Sequence, residues 1–319
     1  MVLSYLQYRR NLYVALSPIK NISLSFISRG KKRQERNERI TNFLNKYTDQ
    51  SLENSDKAIL ATSVATVVSN VHQGNWTPRD VLHAYARKTL AIHAQLNCLS
   101  EIMLDDAERW AIDVETNETK MMGPLAGMPV SLKDTVAVAG YDATAGYAAY
   151  VGKPIENDSP IVRLLRDAGA ILYVKTTIPT TLLSYEGTTG LFGRTLNPHN
   201  GKYSPGGSSS GEAALLAAGG SRIGIGSDGA GSVRVPAHYS GVYSIRASTG
   251  RFPVSGDVSN MPGQEGVPAV TSPMARTLED LETFWEAIIK MEPWKYDHAV
   301  SSTSLCHRNK FYNRLCTRC

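Results

Sequence analysis

One stretch constrains this chain more than any other: Tyr203–Ala237, YSPGGSSSGEAALLAAGGSRIGIGSDGAGSVRVPA. Ordinary core packing does not ask for so much glycine and serine. Two Gly/Ser turns, Pro205–Gly211 and Ser227–Ser232, are joined by a helix-like run, Gly211–Ala218, and a strand-like run, Ile223–Gly226. Glycine lets the backbone adopt φ > 0 and approach another atom closely. Serines beside such turns present hydroxyls and backbone N–H groups to a substrate. Two such turns within so short a span point to a site rather than to plain connections.

The surrounding sequence has the rhythm of an α/β protein. Lys57–Gln73 has helical apolar spacing and stops at Gly74. Thr77-Pro78-Arg79-Asp80 is a capping box with proline at the first helical position, predicting a helix to about Gln95. Ser159-Pro160 repeats the device for a helix ending at Gly169, and Ala170–Val174 reads as a buried strand. Thr277–Asp280 caps a last helix through Lys290. Helices alternating with strands predict a mixed, mainly parallel sheet covered by helices. With 319 residues the chain has room for one large or two modest domains. No run approaches the roughly 18 apolar residues of a membrane span. Four cysteines, three of them in the last 14 residues, form no disulfide framework.

Charge is uneven. Residues 1–40 carry a net +7 and residues 299–319 a net +4, leaving −6 for residues 41–298. The alkaline pI belongs to the ends, and the middle offers no basic cluster for nucleic acid. Residues 1–28 are Ser- and Tyr-rich and acid-free; a poorly ordered extension is the leading expectation for residues 1–40, with a mitochondrial transit peptide as the minor one. Gly30–Arg39 could serve as a nuclear address, though a solvated helix start is the simpler reading.

Three chemistries compete for the Gly/Ser turns. A phosphate loop needs Gly-Lys-Ser/Thr, and GGSSSGE puts Glu212 where the lysine should stand. The nucleophile elbow G-x-S-x-G is formally present and would make Ser209 the nucleophile, but RTLNPHNGKYS before it is loop-like, not a strand. A serine nucleophile with a lysine base is the third. Its lysine candidate is Lys133, inside the apolar, strand-like run GMPVSLKDTVAV. Such a lysine either snorkels to water or sits buried with its pKa pulled down.

GGSSSGE, then 24 residues from its first serine to that of GAGSVR, with SLKD upstream, resembles the amidase signature family. GAILYVKTTIP, LFGRTLNPHN, STGRFP and SPMARTLEDL extend the likeness, which is nearest to fungal acetamidase-type amidases and runs from about Ser55 to His298. The resemblance implies an amidase-signature α/β fold over residues 41–298 and hydrolysis of carboxamides. It implies a Ser–cis-Ser–Lys triad of Ser232 (nucleophile), Ser208 (relay) and Lys133 (base). Backbone N–H groups of Gly229, Ala230, Gly231 and Ser232 would form the oxyanion hole. It implies no metal or organic cofactor, a small-molecule amide as partner, and neither nucleic acid nor membrane; a homodimer is compatible with it, and the composition sets the expectation of a cytoplasmic protein.

Departures are visible too. Ala230 stands where the family has glycine, at a cost of about 1 kcal/mol if that position needs φ > 0. Ser210 replaces a frequent glycine. Near His298–Val300 the likeness stops, and the basic tail SSTSLCHRNKFYNRLCTRC reads as unrelated sequence, from a frameshift, a retained intron or an alternative transcript. The fold is therefore expected to be incomplete at its C-terminal end. A catalytically silent fragment is the alternative to an active amidohydrolase. Cys306, His307, Cys316 and Cys319 lack a second paired knuckle for zinc. His72, His83 and His93 are expected at or near the surface, Cys98 and Trp285 in the core, and Asp228 and Arg234 as supports of the glycine loops.

Overall fold

The computed structural model describes residues 28–46, 54–264 and 266–302. The elements are α1 (28–46), α2 (Asn54–Ala61), α3 (Val64–His72), α4 (Pro78–Leu96), β1 (Leu99–Ile102), α5 (Leu104–Thr116), α6 (Glu118–Met121), β2 (Pro129–Lys133), α7 (Pro160–Asp167) and β3 (Ile171–Thr176). They continue with β4 (Thr188–Thr189), β5 (Gly193–Arg194), α8 (Ser210–Ala217), β6 (Ile223–Asp228), α9 (Arg234–Ser240), β7 (Tyr243–Ser244), β8 (Val270–Ala275) and α10 (Leu278–Lys290).

Local chemistry explains most boundaries. The Thr77 capping box forms in both directions, and α4 ends where Asn97 takes the left-handed conformation. Thr277 caps α10 by accepting from the Asp280 N–H. The continuous helix expected over Lys57–Gln73 is broken instead. Ser63 caps a fresh helix, and the Val64 N–H donates to Asp280 Oδ1 at 2.8 Å. That bond ties the start of α3 to the start of α10, a tertiary contact that helical periodicity does not register.

The main sheet is six-stranded, in the order β1-β3-β2-β6-β8-β7. Its centre, β3-β2-β6, is parallel, while β1, β8 and β7 are added antiparallel at the flanks. Every residue of β1, β2, β3 and β8 is buried, as strands covered on both faces must be. Helices α4, α5, α7 and α8 pack against the strands, and α10 covers β8, β7 and β6. Both Gly/Ser turns follow the carboxyl ends of this parallel centre or enter beside it, where open α/β sheets leave a crevice.

The expected poorly ordered extension over residues 1–40 is corrected for its last part; residues 1–27 lie outside the described residues. Residues 28–46 form α1, and its basic face is docked rather than solvated. Lys32, 2% exposed, meets Glu101 and lies 2.8 Å from Asp142 Oδ2. Arg36 donates to the Leu99 carbonyl at 2.8 Å, Arg39 to Glu101 Oε2 at 3.0 Å, and Arg33 to the Leu191 carbonyl at 2.6 Å. Glu101 and Asp142 are buried and need cations, which α1 supplies from one face. The tail from residue 303, with its three cysteines and His307, lies outside the described residues.

Smaller corrections follow from packing. His93 is buried, and its Nδ1 accepts from the Leu99 N–H at 3.1 Å. Burial holds its pKa down to about 3, so the ring is neutral. Trp285 is half-buried against Phe252, at 4.9 Å between ring centroids, and Phe284 takes the core position beside it. Cys98 is fully buried, as expected.

Candidate active site

Lys133 is the last residue of β2, the strand between β3 and β6. Its side chain is fully buried, and its Nζ lies 2.8 Å from Ser208 Oγ, 2.9 Å from Ser227 Oγ and 3.2 Å from the Ser227 carbonyl. Burial pulls its pKa to about 7, against the opposing pull of Asp228, Asp134 and other acids. No salt bridge to its amine is formed among the described residues. This is a lysine held near the point of losing its proton.

Ser208 enters from the turn before α8, with a cis Gly207–Ser208 peptide. The turn after β6 carries Ser232, which is half-buried. The two turns lie side by side: the Ser209 N–H donates to the Ser232 carbonyl at 3.0 Å. Lys133 and Ser208 are thus in direct contact, and Ser232 sits on the adjoining strip of backbone. Ser209 itself is fully buried, with a loop and not a strand ahead of it, which is wrong for an elbow nucleophile. His238 and His298 are both exposed.

Asp228, at the end of β6, organises the Ser232 loop. Its carboxylate accepts from the N–H groups of Gly231 (2.7 Å), Val233 (3.2 Å) and Arg234 (3.4 Å) and pairs with the Arg234 guanidinium through two 3.0 Å bonds. Burial alone would raise its pKa, but Arg234 and these N–H donors hold it down to about 2. The left-handed residue of the loop is Gly231, at φ +114°, and not Ala230. Alanine at position 230 therefore carries no such backbone penalty. Of the four expected oxyanion donors, the Gly231 N–H is already engaged by Asp228. The next carbonyl back, Ala230, accepts from the Tyr185 hydroxyl at 2.8 Å. One peptide unit is clamped at both ends.

Two partners here were not legible in the sequence. Ser227, which gives Lys133 two of its three contacts, lies in the Gly/Ser turn without a motif to mark it. Tyr185 comes from a segment without any such motif. No group of three or more His, Cys, Asp or Glu side chains suited to a metal occurs among the described residues. No helix of the described residues is long and apolar enough to cross a membrane.

Fold and site together define an α/β protein with a buried lysine–serine pair at the ends of parallel strands, beside a second serine on a clamped glycine loop. A family model described as Amidase matches residues 80–315, and the chain belongs to that family. It is 38% identical to an acetamidase of Emericella nidulans over 252 residues, covering 78% of this chain and 46% of the relative. A probable amidase of Saccharomyces cerevisiae is 36% identical over 273 residues, covering 83% of this chain and 50% of the relative. Among solved structures, a fatty acid amide hydrolase superposes with a TM-score of 0.79 at 31% identity, covering 89% of this chain and 54% of that one. The chain spans about half the length of the curated relatives it matches.

Proposed function

We propose that the site hydrolyses linear carboxamides, of the acetamide type, through an acyl-enzyme on Ser232. The observation that carries this reading is the fully buried Lys133 amine at 2.8 Å from Ser208 Oγ. A neutral amine reverses that bond and accepts the Ser208 proton. Ser208 in turn takes the proton of Ser232 as Ser232 Oγ attacks the amide carbonyl. The tetrahedral oxyanion is met by N–H groups of the Gly229–Ser232 turn, with Gly231 acting through the bond to Asp228 that shapes the turn. Each catalytic donor of this kind is worth about 3–4 kcal/mol. When the C–N bond breaks, the proton returns through Ser208 to the leaving nitrogen. Water then repeats the cycle on the acyl-enzyme, releasing the acid. The family membership and the names of the amidase and acetamidase relatives support this substrate class.

Labelling by a fluorophosphonate probe tests the reading directly. Wild type and Ser209→Ala should both be labelled, with Ser232→Ala blank. Labelling that follows Ser209 instead would restore the elbow reading, and absence of labelling in folded wild type would leave the catalytically silent alternative.

A further inference from the structure

Behind the lysine lies a second buried acid that the proposed mechanism does not use. Glu212, in the first turn of α8, has no exposed surface and forms no salt bridge among the described residues. Its Oε1 meets Ser131 Oγ on β2, and its Oε2 accepts from Thr176 Oγ1 on β3 at 2.9 Å. Ser131 Oγ also lies 2.9 Å from Ser221 Oγ, and Ser221 Oγ lies 2.9 Å from the Ile223 carbonyl. The fold makes room for this carboxyl: a Cβ at Gly224, mid-strand in β6, would fall 1.8 Å from Glu212 Oε1.

Counting protons decides the charge. The row Glu212–Ser131–Ser221–Ile223 carbonyl has three oxygen–oxygen contacts, and each needs one proton. The two serine hydroxyls supply two. The carbonyl supplies none. An ionised Glu212 leaves one contact as two bare lone pairs facing each other; a protonated Glu212 satisfies all three. A carboxylate buried without a cation is also costly, whereas a neutral acid that donates is not.

We propose that Glu212 is held as a neutral carboxylic acid, a positioning residue that donates to Ser131 and joins α8 to the strands carrying Lys133 and Thr176. The proton runs Glu212 to Ser131, Ser131 to Ser221 and Ser221 to the Ile223 carbonyl, while Thr176 donates to the other carboxyl oxygen. The start of α8, and with it the Ser208 turn, is thereby fixed against β2 without placing another anion behind the amine. The titratable groups within electrostatic reach of Glu212 are Lys133 on β2, Tyr173 on β3 and Cys98 ahead of β1. Burial holds the Tyr173 hydroxyl and the Cys98 thiol in their neutral forms. Burial likewise pushes the Glu212 carboxyl up to about 7, against its bonds to Ser131 and Thr176.

The test compares the full chain with Glu212→Gln, whose amide can donate to Ser131 and accept from Thr176, and needs no amidase activity. At pH 6 the infrared difference spectrum should show a protonated-carboxyl C=O band present in wild type and missing from the variant. At the same pH the protonated fraction of Lys133, followed by NMR of its side-chain nitrogen, should be unchanged in Glu212→Gln. An ionised Glu212 would give no band, and its removal would lower the Lys133 pKa by about one pH unit or more and so deprotonate part of that amine at pH 6; either result overturns the proposal. Should Glu212→Gln fail to fold, Ser131→Ala serves. Loss of the accepting hydroxyl shifts the same band if Glu212 is neutral and leaves that region unchanged if it is not. A blank fluorophosphonate experiment would count against the proposed function alone.

Discussion

Replacing Lys133 by methionine should make the protein more stable and catalytically dead. The lysine is fully buried, and burial moves its pKa from an ordinary 10.5 to about 7. Well below pH 7 it is charged in both the folded and unfolded states, and the folded state bears the full cost of the buried ammonium. That displacement corresponds to about 4–5 kcal/mol. Between pH 7 and 10.5 the folded protein sheds its proton before the unfolded chain does, so the cost fades and vanishes above the unfolded pKa. Methionine, of similar length and apolar, removes the cost but strands the hydroxyls of Ser208 and Ser227, a loss of about 1–3 kcal/mol. Lys133→Met should therefore gain about 2–3 kcal/mol at pH 6 and nothing, or a net loss, near pH 10. Urea unfolding followed by circular dichroism at pH 6, 7.5, 9 and 10 measures this, with fluorophosphonate labelling on the same samples. A variant less stable than wild type at pH 6, or a stability difference flat with pH, would refute the claim that this lysine is held near neutrality by burial.

Three further outcomes are expected. Asp228→Asn should lose about 1–2 kcal/mol at pH 7, after discounting for the half-exposed Arg234. Because the Asp228 pKa is depressed to about 2, that difference should hold above pH 4 and disappear as pH falls toward 2, as acid unfolding curves can show. Tyr185→Phe removes only the bond to the Ala230 carbonyl, so stability should change by about 0.5–1.5 kcal/mol while Ser232 labelling slows up to about tenfold. Lys32→Met leaves buried Asp142 without a cation and Glu101 with Arg39 alone, and should cost about 3–5 kcal/mol at pH 7. Since burial raises the Glu101 pKa, that loss should shrink as pH falls and the carboxyl is protonated, a trend that thermal melts from neutral into acid would follow.

The sequence by itself determined the parts of this protein that depend on near neighbours in the chain. The Thr77 capping box, the Pro160 start, the Thr277 cap and the apolar run before Lys175 are local signals, and the elements they predict are present. The density of glycine and serine over Tyr203–Ala237 marked the two site turns for the same reason, since close backbone approach demands small residues wherever it occurs. Only the tertiary structure decided what those turns face. That Lys133 meets Ser208 and Ser227, 75 and 94 residues away in sequence, follows from β2 lying between β3 and β6. The break at Ser63 depends on Asp280, and the ordering of α1 depends on Glu101 and Asp142, partners that no local pattern announces. The protonation of Glu212 lies furthest from the sequence of all. It rests on a count of hydroxyls from two strands and the turn before a third, gathered around a carboxyl for which Gly224 leaves the space. Charge in a protein interior is set by which groups burial brings together, and that is a property of the fold.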